Sequence, residues 1–85
     1  MALKELVEAI VVELVDQPDK VVVTELAGGD STVVELRVAR EDVGKVIGKE
    51  GRTAESIRAI MAAVSTKTGG RRAQLDIVAP RDSRD

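Results

Sequence analysis

Apolar residues recur at helical spacing at the start of the chain, which predicts an amphipathic helix there. Glu5 falls in the first turn, where a negative charge suits the helix dipole. Pro18 disfavours helical geometry at the residue before it, so the helix should end within residues 16–19. The apolar stripe of this helix is broader than a small sheet needs. Either the whole stripe covers the sheet, which we favour, or part of it binds a partner. Its members are Leu3, Leu6, Val7, Ile10 and Leu14, with Val11 and Val15 widening it.

Two segments rich in Val and Thr come next and predict an antiparallel hairpin. The first strand covers residues 20–27 and the second covers residues 32–40. Between them, Gly28, Gly29, Asp30 and Ser31 supply the turn. Because side chains alternate along a strand, the second strand should bury one face and expose the other. The inward set is Val34, Leu36 and Val38, and the outward set is Glu35 and Arg37.

Two more helices and a third strand complete the pattern. Glu41 and Asp42 mark the start of a short helix over residues 43–47. A longer helix then ends near residues 67–68, with Gly69 and Gly70 beyond it. Residues 73–77 alternate between apolar and polar, which predicts a half-buried strand, and residues 79–85 should fray. The apolar stripe of the longer helix consists of Ile57, Ile60, Met61 and Val64.

The order of these elements predicts an α+β fold. A strand–helix–helix–strand unit over residues 32–78 is a crossover, and its natural outcome is two parallel neighbouring strands. With the first helix and strand, this gives the order α-β-β-α-α-β and a mixed three-stranded sheet with helices packed on one face. We expect a single domain over residues 1–79 and a flexible C-terminal tail over residues 80–85.

Composition excludes several classes of protein. The chain has no Cys and no His, which removes zinc fingers, thiol catalysis and a histidine base. It has no Phe, Tyr or Trp, so it cannot stack bases on aromatic rings as RRM domains and OB-folds do. No apolar run reaches the length of a membrane span, and the chain opens on an amphipathic helix, so we expect a cytoplasmic protein. We also expect no cofactor.

The net charge of −2 divides unevenly along the chain. Residues 1–36 hold two basic and eight acidic side chains, whereas residues 37–85 hold eleven basic and seven acidic ones. Such asymmetry indicates an anion-binding face opposite an acidic one, and ordinary scatter of surface charge is an equal alternative.

The basic half contains the most informative motif, a G-x-x-G loop at Gly48-Lys49-Glu50-Gly51. Two glycines this close let the backbone turn tightly and approach a ligand. The N–H groups at the start of the following helix, together with its dipole, favour an anion. Lys49 and Arg52 add positive charge. The alternative is that the two glycines only make a tight turn between helices.

These residues resemble those of KH domains, type II. The loop follows Val46 and Ile47, while Ala54 and Ile57 stand three and six residues after the second glycine, as in the KH pattern. Many KH domains have a larger aliphatic residue in place of Ala54, which suggests tighter helix packing here. The similarity covers roughly residues 3–78, and the small size resembles stand-alone bacterial members of the family.

The resemblance implies single-stranded RNA binding in a groove between the two helices and the sheet edge, where about four nucleotides are clamped. The loop would contact phosphates, with Lys45, Arg52 and Arg58 in support and Val46 and Ile47 packed below. The turn at residues 28–31 would close the other side of the groove. Arg58 is equally well read as helix surface, and Arg71 and Arg72 are better read as a solvated turn. The implied RNA-binding residues are Lys45, Val46, Ile47, Gly48, Lys49, Glu50, Gly51, Arg52, Arg58, Gly28 and Gly29.

The resemblance also implies partners and a cellular role. A single site should bind weakly, so a second KH module would raise affinity through effective concentration. The family implies a homodimer, or a complex with a larger KH-containing RNA-binding protein (KhpB, also called Jag or EloR). It further implies an RNA chaperone that affects the cell envelope and cell length.

Two other classes of function compete with this one. A nucleotide-binding enzyme could use residues 44–49 as a phosphate loop. The Walker pattern, however, needs four residues between its first glycine and its Gly-Lys, and a Ser or Thr after the lysine. Here there are three, and Glu50 follows, so we expect no enzyme. The stronger alternative is an interaction or dimerisation module with the KH fold and little RNA binding of its own.

Overall fold

A computed structural model describes residues 3–68 and 72–78. It contains three helices, α1 (Leu3–Val12), α2 (Val43–Ile47) and α3 (Arg52–Thr68). It also contains three strands, β1 (Val22–Gly28), β2 (Ser31–Arg37) and β3 (Arg72–Val78). Short 3₁₀ turns at Pro18–Lys20, Arg40–Asp42 and Lys49–Gly51 connect them. The order and type of the helices and strands are those predicted.

The sheet has the predicted mixed topology, with strand order β1-β2-β3. β1 and β2 pair antiparallel, with Val23 opposite Leu36, and β2 and β3 pair parallel, with Val34 opposite Leu75. Because β3 is parallel to β2, α3 must carry the chain back along the sheet before β3 begins. The loop before α3 therefore lies towards the end of the sheet where β2 ends, and the β1–β2 turn lies at the other end.

One face of the sheet and the helices enclose an aliphatic core. The cluster draws on all three helices and all three strands, as well as on connecting residues. Among the described residues, no buried side-chain nitrogen or oxygen lacks a hydrogen-bond partner. The core consists of Leu3, Val7, Val11, Val15, Val23, Val34, Leu36, Val38, Val46, Ile57, Met61 and Leu75.

The first helix is shorter than predicted, and its stripe is rotated. The amides of Glu13 and Leu14 bond to carbonyls three residues back, which tightens the last turn and ends the helix at Val12. The tightened turn leaves Leu14 exposed and Val15 buried. Leu14 was therefore wrongly included in the apolar stripe, whereas Val11 and Val15 are buried with Leu3 and Val7.

The hairpin differs from the prediction at its ends. Lys20 belongs to a 3₁₀ turn instead of β1, since Pro18 favours the first position of such a turn. Gly28 and Ser31 form the last pair of the ladder, so the loop itself is only Gly29 and Asp30. Gly29 has φ 59°, which suits the first central position of a tight hairpin turn. β2 ends at Arg37, before the predicted residue 40.

One residue of the apolar stripe predicted for α3, Ile60, lies outside the buried face. Ala54, Ile57, Met61 and Ser65 are buried, whereas Ile60 is 44% exposed. At about 100° per residue, Ile60 lies roughly 60° outside the arc that the buried residues share. The predicted tail over residues 79–85, and with it the domain boundary, lies outside the described residues.

Candidate nucleic-acid interface

The loop between α2 and α3 depends on the backbone of Gly48. Its φ of 79° and ψ of 173° lie in a region that only glycine adopts readily. A Cβ atom there would also come within 2.7 Å of the Thr53 Cβ atom and 2.8 Å of the Thr53 amide nitrogen. Gly48 is thus required both by its torsion angles and by its close approach to the first turn of α3.

Past Gly48 the chain makes one 3₁₀ turn that leaves two amides unpaired. The Gly51 N–H donates to the Gly48 carbonyl at 3.1 Å, and the Arg52 N–H donates to the Lys49 carbonyl. Within the described residues, the N–H groups of Lys49 and Glu50 have no backbone acceptor. Two hydrogen-bond donors are therefore available side by side at the exposed tip of the loop.

Glu50 holds an unusual conformation in this turn. With φ 58° and ψ 26° it is the one non-glycine residue at positive φ among the described residues. Left-handed backbone costs a non-glycine residue about 1–2 kcal/mol. The loop therefore keeps a strained shape in order to present its tip.

The cations around the loop differ in what they contact. The exposed Lys49 ammonium has no ion-pair partner within residues 3–68 and 72–78. The Arg52 Nη2 atom lies 3.4 Å from the Glu50 Oε1 atom, and both side chains are largely exposed. Such a pair is worth little in water, so Arg52 can exchange Glu50 for another anion at small cost.

Lys45 is held in an acidic network away from the loop tip. Its Nζ atom lies 3.2 Å from Asp16 Oδ2 and 3.8 Å from Asp42 Oδ1. The buried Asp42 carboxylate also accepts hydrogen bonds from the N–H groups of Asp16, at 3.2 Å, and Gln17, at 3.0 Å. The network ties the segment after α1 to the start of α2, and Lys45 partly balances its charge.

The two apolar residues before the loop have different environments. Val46 is fully buried in the core, so it supports the loop from below. Ile47 is 38% exposed beside Gly48 and presents an apolar surface at the base of the loop.

Arg58 lies at the junction of α3 and β3. Its Nη2 atom donates a hydrogen bond to the Leu75 carbonyl at 3.3 Å. Six residues separate it from Arg52, which amounts to about 9 Å along the helix. The structure thus places Arg58 beside the outer strand of the sheet and not at the loop tip.

Gly28 and Gly29 lie at the far end of the sheet from the loop. The Asp30 carbonyl there accepts a hydrogen bond from the Arg72 amide at 3.0 Å, which joins the turn to the start of β3. Arg72 is exposed and shares a polar cavity of about 370 Å³ with Asp30, Ser31 and Gln74. Arg71 lies outside the described residues.

Sequence reasoning missed the role of Asp42 and of Thr53. An acidic residue before a helix was read only as a start signal, although its carboxylate is buried and binds a distant segment. No pattern in the sequence pairs Asp42 with residues 16 and 17. For Thr53 the sequence offered a weak indication, because a residue so near a G-x-x-G loop is a candidate for close contact with one of its glycines.

Two searches of the described residues gave negative results. None of the helices there is long and apolar enough to cross a membrane. The same part of the chain brings together no group of three acidic, His or Cys side chains that could hold a metal ion.

Comparison with known proteins identifies a family and close relatives. Residues 4–77 match the family described as KhpA/KhpB, KH domain. An RNA-binding protein KhpA of Aquifex aeolicus is 51% identical over 70 residues, which span 82% of this chain and 89% of that protein. An RNA-binding protein KhpA of Halalkalibacterium halodurans is 50% identical over 76 residues, or 89% of this chain and 99% of that protein. A third, from Borreliella burgdorferi, is 49% identical over 74 residues, with 87% and 89% coverage.

Proposed function

Because the chain belongs to the KhpA/KhpB KH-domain family, we propose that it binds single-stranded RNA and clamps about four nucleotides at Gly48-Lys49-Glu50-Gly51. Relatives that are about half identical carry the name RNA-binding protein. The chain works as a binding protein and not as an enzyme.

The observation that carries the proposal is the exposed turn after Gly48. Among residues 3–68 and 72–78, the N–H groups of Lys49 and Glu50 have no backbone acceptor, and no carboxylate pairs with the Lys49 ammonium. Backbone N–H groups and a nearby cation are the usual ligands of a phosphate oxygen. Arg52 adds a second cation once it leaves Glu50.

The rest of the RNA would follow the junction of α3 and β3 towards the β1–β2 turn. Ile47 provides an apolar contact for the first base, in place of an aromatic ring. Arg58 lies along the junction, and Gly28 and Gly29 lie near its far end. α3 is about 25 Å long, which leaves room for a short strand and no more.

The test replaces the loop tip by acidic residues. In Lys49→Asp/Glu50→Asp the new carboxylate repels phosphate, whereas Asp is tolerated at positive φ better than most residues. We expect RNA binding to fall at least about tenfold in a fluorescence anisotropy assay, with little change in melting temperature, since both residues are exposed.

The chain offers a matched control for this variant. Lys4 and Glu5 form the same dipeptide on the exposed side of α1, so Lys4→Asp/Glu5→Asp makes the same change in charge elsewhere. The control should bind RNA like the wild type. Equal affinities for all three proteins would reject the loop as the RNA site and favour the interaction-module alternative.

We further propose that the protein acts as an RNA chaperone in the control of the cell envelope and cell length. Weak binding to a few nucleotides suits this role, because a chaperone must release its RNA after refolding. The support is family membership alone. A deletion strain should change in cell length, and the Lys49→Asp/Glu50→Asp variant should fail to restore it.

A second module would compensate for the weakness of one site, so we propose a homodimer or a complex with a KhpB protein. The observation in favour is the set of large apolar residues exposed on the described surface. They are Leu14, Val22, Leu26, Ile47 and Ile60.

A further inference from the structure

A cationic cleft lies apart from the loop, where β1 begins and β2 ends. Its volume is about 390 Å³, and three of its lining residues are Lys20, Arg37 and Arg40. Val22 is 52% exposed and provides an apolar wall. A cleft of this size with cations around an apolar wall suits one nucleotide, with its phosphate on the cations and its sugar or base against Val22.

Two carboxylates near the cleft, those of Glu41 and Glu35, already have a partner within the protein. The Glu41 carboxylate lines the cleft but accepts a hydrogen bond from Gln17 Nε2 at 3.4 Å. Glu35 lies 3.5 Å from the Arg37 guanidinium, and this pair is partly exposed, so it is weak. Within the described part of the chain, the Lys20 ammonium has no ion-pair partner. The lining of the cleft therefore holds three cationic side chains against one carboxylate, that of Glu41.

The cleft is close enough to the loop to share one strand of RNA. α2 and the turn before it separate them, and their combined rise is roughly 14 Å. Between them, Lys45 pairs with the exposed Asp16 and the buried Asp42, so one cation partly balances two carboxylates. A strand leaving the loop on this side passes Asp16 while the Asp16 carboxylate is in contact with Lys45.

We propose that this cleft binds the phosphate backbone of the RNA strand beyond the nucleotides clamped by the loop. The inference rests on the proposed function, because it assigns a second contact to the same ligand. It predicts a footprint longer than about four nucleotides, with the additional contacts electrostatic and independent of sequence.

The experiment compares an RNA of about four nucleotides with one of about twelve, over a range of salt concentrations. Each phosphate contact adds roughly 0.7 to the log–log salt slope for a single strand. We expect the longer RNA to have a slope larger by about 1–2 in the wild type. In Lys20→Gln/Arg40→Gln the difference in slope between the two RNAs should disappear. The longer RNA should bind about tenfold more weakly, and the binding of the shorter RNA should not change.

Controls separate this inference from the loop assignment. Lys4→Gln/Lys67→Gln removes the same charge from exposed positions outside the cleft and should keep the excess slope. Lys20→Glu changes only one exposed side chain, so it tests the cleft even if the double variant is unstable. If both cleft variants bind the longer RNA like the wild type while the loop variant does not, the cleft proposal is wrong and the loop proposal stands. If neither RNA binds the wild type, both are wrong.

Discussion

Asp42 is the residue whose contacts explain most about how this small chain holds together. Its carboxylate is fully buried, yet it accepts hydrogen bonds from two backbone N–H groups and lies 3.8 Å from the Lys45 ammonium. A buried charge is tolerated only when such partners replace water. The cluster therefore fixes the segment after α1 against the start of α2, immediately before the loop.

We predict that Asp42→Ala destabilises the protein by about 3 kcal/mol, because two amides lose their acceptor and Lys45 loses one of its two carboxylate neighbours. Asp42→Asn keeps one acceptor oxygen and should lose less. Urea denaturation measures both, with Asp19→Ala, on an exposed turn, as a control expected within about 0.5 kcal/mol of the wild type. A loss in Asp42→Ala no larger than in the control would contradict the bridging role.

The lysines and arginines near the loop are alike in sequence but not in the structure. Lys45 is engaged by Asp16 and Asp42, Arg52 by Glu50, and Arg58 by the Leu75 carbonyl. Only the fold decides which carboxylate or carbonyl reaches each of them. Their parts in RNA binding stay predictions, and Lys49 is the strongest of them because its charge is unpaired within the described residues.

Whole elements were easier to predict than their faces. The sequence located α2 at residues 43–47 and the end of α3 at residue 68, as observed. It wrongly included Ile60 in the buried stripe of α3, because Ile60 fits a helical pattern as well as its buried neighbour Met61 does. Neighbouring apolar residues on a helix leave its rotation open until the packing partner is known.

We predict opposite outcomes for these two neighbours. Met61 is 1% exposed and Ile60 is 44% exposed. Met61→Ala should cost about 2–4 kcal/mol of stability, because it opens a cavity in the core. Ile60→Ala should cost less than about 1 kcal/mol, since alanine favours the helix. Chemical denaturation of the two variants side by side tests the rotation of α3, and equal losses would refute it.

At the scale of the whole molecule, large apolar side chains remain on a surface that one copy does not cover. Val22 and Leu26 lie on the face of the sheet opposite the core, and Ile60 lies on α3. Their positions are separate, so more than one surface could take part in association. This agrees with the proposal that one weak RNA site is supplemented by a second module.

We predict that the protein is not a strict monomer. Light scattering over a micromolar concentration series should give a mean mass that rises above the 9.1 kDa of one chain and approaches twice that value. Adding RNA should favour the larger species, since two linked sites bind one strand more tightly. A constant mass near that of one chain, with and without RNA, would argue against the homodimer and leave a heterologous KH partner.

The sequence by itself determined the order of helices and strands, the parallel pairing of β2 with β3, and the position of the G-x-x-G loop. These follow from hydrophobic periodicity and turn-forming residues, which are local in sequence, and from the rules for connecting consecutive helices and strands. The tertiary structure alone decided the exposure of Leu14 and Ile60, the contacts of Lys45 and Arg58, the clash that requires Gly48, and the convergence of Lys20, Arg37 and Arg40. The Gly48–Thr53 clash is local but depends on the exact torsion angles of the loop. The other features depend on how segments distant in sequence meet, and a one-dimensional pattern does not contain that orientation.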